Sequence, residues 1–104
     1  MSNHPIAHIQ WLRPSEGGRP QPPAGPIYTT VARFGGHENR WTENAWSLVV
    51  EFMAPPDENL RHLAKVRFLS DNGPADWLGE GATFELMEGP KTVARGTVTR
   101  IPRM

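Results

Sequence analysis

The stretch that decides the fold is GATFELMEGPKTVARGTVTRI, which runs from Gly81 to Ile101. Two runs of alternating apolar and polar residues meet in it at the turn Glu88-Gly89-Pro90-Lys91. A period of two is typical of a strand that buries one face, and a short glycine-containing turn joins two such strands into a hairpin. The stretch therefore predicts a β-hairpin, and its buried face should include Phe84, Leu86, Ala94, Gly96 and Val98.

Four further strands are predicted before this hairpin, over residues 6–12, 27–34, 46–52 and 64–69. Eleven prolines and ten glycines separate them, and both residue types interrupt helices. The sole helical prediction is one turn over residues 58–64, with Asp57 as its N-cap.

Six strands at this spacing predict an all-β fold, either a closed antiparallel barrel or a sandwich. Closure into a barrel would also remove exposed strand edges, which a small cysteine-free domain has reason to avoid. Trp77 and Leu78, within a loop rich in turn-forming residues, are expected to act as a hydrophobic plug. The expected interior is formed by Ile9, Trp11, Leu48, Val50, Phe68, Phe84 and Val98.

The chain has 104 residues, which fits one domain over 1–104, with residues 1–5 and 102–104 expected to fray. It has no cysteine, so disulfides and thiolate zinc sites are excluded. No apolar run approaches the roughly 20 residues that cross a bilayer, and the N-terminus lacks the pattern of a signal peptide. We therefore expect a cytoplasmic protein with no membrane partner.

The final hairpin resembles the last hairpin of the C-terminal (third) β-barrel domain of elongation factor Tu. The residues that fit this pattern are Gly81, Phe84, Glu88, Gly89, Thr92, Val93, Gly96 and Val98. The stretch IQWLRPSEGGRPQPP, residues 9–23, resembles the strand and the Glu-Gly-Gly-Arg loop that open the same domain. SLVVEFMAPP, residues 47–56, is similar to the strand before its last hairpin. The resemblance implies an isolated, divergent homologue, and it favours a single six-stranded antiparallel closed β-barrel over a sandwich.

The departures from that family limit what the resemblance implies. The chain has no phosphate-binding Gly-x-x-x-x-Gly-Lys-Ser/Thr loop, so no nucleotide is expected. Pro90 and Lys91 stand where the family has Gly-Arg, and the stretch from Leu60 to Leu78 is extra or replaced. In the family, both Glu-Gly loops lie near the contact with the GTPase domain, and other surface contacts the T arm of aminoacyl-tRNA.

The predicted function is that of a non-enzymatic interaction module, with another protein as its partner. The predicted contact residues are Glu16, Gly17, Gly18, Arg19, Trp41, Glu88, Gly89 and Lys91. Each loop also has a purely structural interpretation: Glu16 can pair with Arg19 in an ordinary turn, and Glu88–Lys91 can be a simple hairpin turn. Trp41 can cover the end of the barrel, and the proline-rich stretch after Arg19 can be either a structural loop or a polyproline ligand.

RNA binding, of tRNA in particular, is the alternative function. It rests on the resemblance and on the cations that follow Glu88, of which Arg95, Arg100 and Arg103 are the predicted RNA contacts. The net charge of zero does not favour it, because phosphate contacts usually require a basic excess. A small enzyme is a third option, but no serine or carboxylate lies in a catalytic pattern. The four histidines have no metal-ligand spacing, so neither metal nor cofactor is predicted.

Overall fold

The computed structural model describes residues 4–36 and 46–102. The fold is one closed six-stranded antiparallel barrel with the strand order β1-β4-β3-β2-β5-β6. Short 3₁₀ turns occupy Pro14–Glu16 and Ala75–Leu78. The strands are β1 Ile6–Trp11, β2 Ile27–Phe34, β3 Trp46–Phe52, β4 Arg61–Phe68, β5 Thr83–Glu88 and β6 Lys91–Arg100. The sequence-based prediction of an all-β barrel is confirmed.

The barrel closes through β1, which pairs with β6 on one side and with β4 on the other. Strands β2, β3 and β4 form a meander, and β5 and β6 form the predicted hairpin. The β2–β5 pairing joins these two parts. Every strand of the closed sheet therefore has two neighbours, so none presents a free edge.

Apolar side chains at alternating positions fill the interior. Six of the seven predicted core residues are less than 3% exposed, and the seventh, Phe68, is half-buried and packs against them. The predicted plug also forms: Leu78 is buried in the core, and the ring of Trp77 lies 5.4 Å from that of Phe34. With 104 residues and no disulfide, this packing is the main source of stability.

The two ends of the barrel differ in the segments that cover them. One end, called here the loop end, carries residues 12–26, residues 53–60 and the turn at Gly89–Pro90. These segments connect strand ends that the antiparallel pairing places at the same end of the barrel. The opposite end carries residues 69–82. The β2–β3 connection also joins its strands at that opposite end, and its residues 37–45 lie outside the described residues.

The predicted helical turn over residues 58–64 is wrong. The carboxylate of Asp57 accepts hydrogen bonds from the backbone N–H of Asn59 and of Arg61, which closes a tight turn, and β4 begins at once. Leu60 takes a left-handed conformation with φ of 62° in this turn, and its carbonyl accepts the N–H of Trp11 at 2.9 Å. Pairing with β1 thus outweighs the local preference for a helix.

Membrane-spanning helices are not found among residues 4–36 and 46–102, where no helix has the necessary length and apolarity.

Gly96 tests the packing of the core. It pairs with Phe84 across β5 and β6, and a Cβ atom placed on it would overlap the Phe84 ring. Overpacking of this kind costs about 1–3 kcal/mol, partly offset because alanine restricts the unfolded chain. We expect Gly96→Ala to lower the free energy of unfolding by about 1–2 kcal/mol in urea titration. The exposed neighbour variant Thr97→Val should stay within about 0.5 kcal/mol of wild type. Equal stability of Gly96→Ala and wild type would contradict this packing.

Candidate functional site

The two loops predicted to form a contact surface meet at the loop end. Arg19 Nη1 donates a hydrogen bond to Glu88 Oε2, which joins the first loop to the hairpin turn across 69 positions of sequence. The hydroxyl of Tyr28, at the start of β2, donates to the same oxygen. The Arg19 guanidinium also lies 5.6 Å from the centre of the Tyr28 ring, within the range of a cation–π contact. These three side chains lock the two loops together.

Glu16 has a different role from the one considered for it in the sequence. Its carboxylate accepts the backbone N–H of Arg13 at 2.8 Å and so closes the 3₁₀ turn, instead of pairing with Arg19. Gly17 then takes φ of 88°, which favours glycine, and the N–H of Gly18 donates to the Arg13 carbonyl. Gly18 is buried, while Glu16 and Gly17 are exposed.

The electrostatics of the cluster follow from partial burial and short contacts. Burial, reinforced by the hydrogen bond to Glu88, raises the pKa of Tyr28 from 10.0 to about 12. Burial acts to raise the pKa of Glu88 as well, but hydrogen bonds from Tyr28 and Arg19 and nearby positive charge lower it below its ordinary value. The cluster is thus a carboxylate held by two donors, and it leaves exposed only Gly89, Pro90 and Lys91 of the turn.

A groove of about 570 Å³ lies beside this cluster. The proline-rich residues 21–26 form one wall, residues 53–56 form the other, and Phe52 and His62 lie between them. Phe52 N–H donates to the Pro26 carbonyl at 2.8 Å, which ties the end of the first wall to β3. Met53, on the second wall, is 51% exposed. The proline-rich stretch therefore serves as the wall of a groove.

His62 connects the groove to the core. The indole Nε1–H of Trp11 donates to His62 Nε2 at 2.8 Å, so Nε2 must be an acceptor. The proton therefore sits on Nδ1, which lies 2.9 Å from the Ala54 carbonyl and donates to it. The imidazole stacks on Phe52 with ring centres 4.3 Å apart and planes 12° from parallel. Both ring nitrogens are used to hold the second wall in place.

Sequence reasoning missed His62, Phe52 and Met53 as site residues. His62 stood in the predicted helical turn, so its inward position on β4 was not anticipated. The signal that could have found it is the alternation of His62, Ala64 and Val66, all of which are buried. Of the predicted contact residues, Trp41 lies outside the described residues.

The predicted RNA contacts Arg95 and Arg100 are exposed on β6, and Arg103 lies outside the described residues. Strands β6, β1 and β4 are neighbours in the barrel, and none of them contains aspartate or glutamate. The outward faces of these three strands are called here the basic wall. Six of the eleven lysines and arginines of the chain lie on these strands: Arg61, Lys65, Arg67, Lys91, Arg95 and Arg100.

Carboxylates border the basic wall without entering it. Glu51, on β3, lies opposite Lys65 in the register, and Glu85, on β5, pairs with Arg33 and lies 3.8 Å from Arg95. The zero net charge of the chain therefore conceals an uneven distribution of charge over the barrel.

Clusters of three or more histidines, aspartates or glutamates that could hold a metal ion do not occur in the part of the chain that the structure describes. Comparison with known proteins gives no further assignment, because no family model matches the chain and no curated protein matches it.

Tyr28 is the single tyrosine of the chain, so phenolate absorbance reports on the cluster of Arg19, Tyr28 and Glu88 alone. Because the pKa of Tyr28 is raised, its neutral form stabilises the fold fully below about pH 10, and this contribution is lost as the pH rises toward 12. We expect phenolate absorbance after a rapid pH jump to show ionisation near pH 12 in the folded state and near pH 10 in urea. Glu88→Gln should lower the folded-state midpoint toward 10.

The control for this titration is Glu58→Gln, which changes an exposed carboxylate at the same end of the barrel. It should leave the Tyr28 midpoint unchanged. A wild-type midpoint near 10 in the folded state, with tryptophan fluorescence confirming that the protein is folded, would contradict the contact between Tyr28 and Glu88.

Proposed function

We propose that the protein is a non-enzymatic binding module that holds another protein at the loop end of its barrel. The observation that carries this proposal is the Arg19–Glu88 contact. It fixes the Glu16–Arg19 loop and the Glu88–Lys91 turn side by side, next to an apolar groove. The resemblance to the elongation factor Tu barrel implies a partner at the same two loops, and that expectation supports the same surface.

The polar groups of the loop end largely satisfy one another. Glu16 accepts the N–H of Arg13, Asp57 accepts two backbone N–H groups, and Glu88 is held by Arg19 and Tyr28. A partner can therefore cover this end without stripping those groups of their bonds to water, which is a main cost of association. The prolines and Met53 are then available as an apolar centre with a polar rim, as in transient protein interfaces.

The charge of the loop end also favours a protein over a polyanion. Its segments, taken with the strand-end residues Arg61, Glu88 and Lys91, balance four cations against four carboxylates. The cations are Arg13, Arg19, Arg61 and Lys91, and the carboxylates are Glu16, Asp57, Glu58 and Glu88. No excess of positive charge is available there for a phosphate backbone.

Site-specific photo-crosslinking in the native cell tests the proposal. A photoreactive residue at position 53 should capture a specific protein, and the same residue at position 69, at the opposite end, should not. Met53 and Leu69 are a matched pair, being 51% and 58% exposed. With the captured partner purified, Met53→Asp should weaken binding at least tenfold, and Leu69→Asp should leave it unchanged. Equal capture at both positions, or equal loss from both variants, would refute the loop end as the contact surface.

RNA binding is a second candidate, and the basic wall is the observation that favours it. The outward positions of its strands carry no phenylalanine, tyrosine or tryptophan, and the imidazole of His8 on β1 is the one outward ring on which a base could stack. Its chemistry is that of phosphate contacts from arginine and lysine, joined by the hydroxyl of Thr97, since the Thr99 hydroxyl already donates to the Ile6 carbonyl. A barrel wall without a projecting helix or ribbon suits the wide, shallow minor groove of an RNA duplex better than the major groove of DNA.

Fluorescence anisotropy with a 20-base-pair RNA duplex tests this second candidate. We expect micromolar binding at low salt, and a slope of log K against log salt of about −3, as for three or four phosphate contacts. Arg100→Glu should weaken binding severalfold more than Arg13→Glu, since both remove one exposed cation but only Arg100 lies on the basic wall. Absence of binding at low salt, or equal effects of the two variants, would rule the basic wall out.

A further inference from the structure

The basic wall and the end of the barrel opposite the loop end complement each other in charge. We propose that the basic wall of one copy of the chain binds the opposite end of a second copy. The occupant of the wall is thus the segment of residues 69–82 of another copy, called here the acidic end. The groove takes no part in this contact, so the inference does not depend on the function proposed for the loop end.

The charged side chains of the acidic end are all negative. Residues 69–82 contain three carboxylates and no lysine, arginine or histidine: Asp71, Asp76 and Glu80. All three side chains are exposed, and none forms a hydrogen bond or an ion pair with another of the described residues. Residues 37–45, whose strands also meet at this end, add two glutamates, one arginine and one histidine to the sequence. Three carboxylates of the acidic end are therefore available to a cationic partner.

The basic wall has the opposite character. Its three strands hold six lysines and arginines and no carboxylate. Within the described ranges, Arg95 is the one cation of these six that lies at ion-pairing distance from a carboxylate, that of Glu85 at 3.8 Å. Arg67, which is exposed, lies opposite the uncharged Val49 in the register. Carboxylates that pair with most of the wall must therefore come from another molecule.

Each of the two surfaces also carries an exposed leucine. Leu63, between Arg61 and Lys65 at the outward positions of β4, is 44% exposed. Leu69, two positions before Asp71 in the acidic end, is 58% exposed. A phosphate backbone offers no apolar group to Leu63, whereas the acidic end brings Leu69 beside its carboxylates. An apolar contact with a polar rim is typical of protein interfaces, so the leucines favour a protein over RNA as the occupant of the wall.

The fold holds both surfaces in place before they meet. Leu78 anchors the acidic end in the core, and the ring of Trp77 lies 5.4 Å from that of Phe34. Gly73 lies so close to the Phe68 ring that a Cβ atom would overlap it. The wall is fixed by the ladders of the closed sheet, and association of preformed surfaces loses little conformational entropy. The net charge of zero also means that two copies do not repel each other at long range.

The proposed contact joins two different surfaces of the same chain, so it is heterologous. A pair of copies then retains one free wall and one free acidic end, and further copies can add until a ring closes or a filament grows. A two-fold symmetric dimer, in contrast, uses the same surface twice and stops at two copies. Growth beyond a dimer therefore distinguishes the proposed contact from a symmetric one.

Sedimentation velocity of the wild-type chain tests whether copies associate in this way. The contact should be weak, with a Kd on the order of 0.1 mM, because exposed ion pairs each contribute little. In about 20 mM salt the mean mass should exceed that of a dimer as the protein approaches about 1 mM, and in about 0.5 M salt it should return to that of the monomer. A monomer at every concentration in low salt, or a dimer that does not grow, would overturn the inference.

Two charge-neutralised variants then test which surfaces meet. Lys65→Gln with Arg67→Gln removes two cations from the wall, and Asp71→Asn with Asp76→Asn removes two carboxylates from the acidic end. Each double variant alone should associate about fivefold more weakly than wild type. An equal mixture of the two should recover the wild-type Kd and stop at a dimer, because the intact acidic end of the first variant binds the intact wall of the second.

The control is a mixture of Arg13→Glu and Glu58→Lys, two variants of exposed residues at the loop end. They change the net charge of zero by the same two units, negative and positive, as the two double variants do. This mixture should grow beyond a dimer as wild type does. Wild-type association of either double variant alone, or a test mixture that behaves as the control mixture does, would contradict contact between the wall and the acidic end.

The crosslinking experiment at the loop end stays distinguishable from this one. Position 69 lies on the acidic end, so capture of a second copy there gives a product of twice the mass of the chain. A different protein captured at position 53 gives another mass. Each proposal can therefore fail while the other holds.

Discussion

The indole of Trp11 is the feature on which the loop end of the barrel depends. Its side chain is 1% exposed and lies where β1 faces the small Ala94 of β6. From there its ring contacts Tyr28 of β2 and Phe52 of β3, with centres 5.6 and 6.0 Å apart, and its N–H bonds to His62 of β4. One side chain on β1 thus reaches three other strands, of which only β4 pairs with β1. Because an indole N–H can only donate, the hydrogen bond fixes the orientation of the Trp11 ring toward His62.

Trp11 contacts both parts of the candidate surface: the cluster of Arg19, Tyr28 and Glu88, and the groove. On one side, the ring of Trp11 packs on that of Tyr28. The Tyr28 hydroxyl donates to Glu88, which also accepts from Arg19, and these bonds join the two loops. On the other side, it bonds to His62, whose second nitrogen fixes Ala54 in the wall of the groove. The core therefore positions this surface together with the contacts that the loop residues make with one another. Such preorganisation reduces the entropy that a partner must remove on binding.

The strands could be predicted from the sequence because each carries its own period of two, a property of neighbouring residues. The start of β4 could not, because Leu60, Leu63 and Ala64 have the spacing of a helical face, and only pairing with β1 places Leu63 outward at 44% exposure. The two loops were predicted, but the partner of Arg19 was not, since Glu88 is distant in sequence. The groove arises from the pairing of β2 with β3, which brings residues 21–26 beside 53–56. The basic wall arises only when closure places β1 between β6 and β4. The net charge of the whole chain cannot reveal how the charges are distributed over the barrel.

The most direct test of this account is the hydrogen bond between Trp11 and His62, measured by ¹⁵N NMR on the wild-type protein. His62 should carry its proton on Nδ1, and a scalar coupling across the hydrogen bond should link Trp11 Nε1 to His62 Nε2. A proton on Nε2, or the absence of any coupling to the indole nitrogen, would contradict the claim that Trp11 organises the loop end.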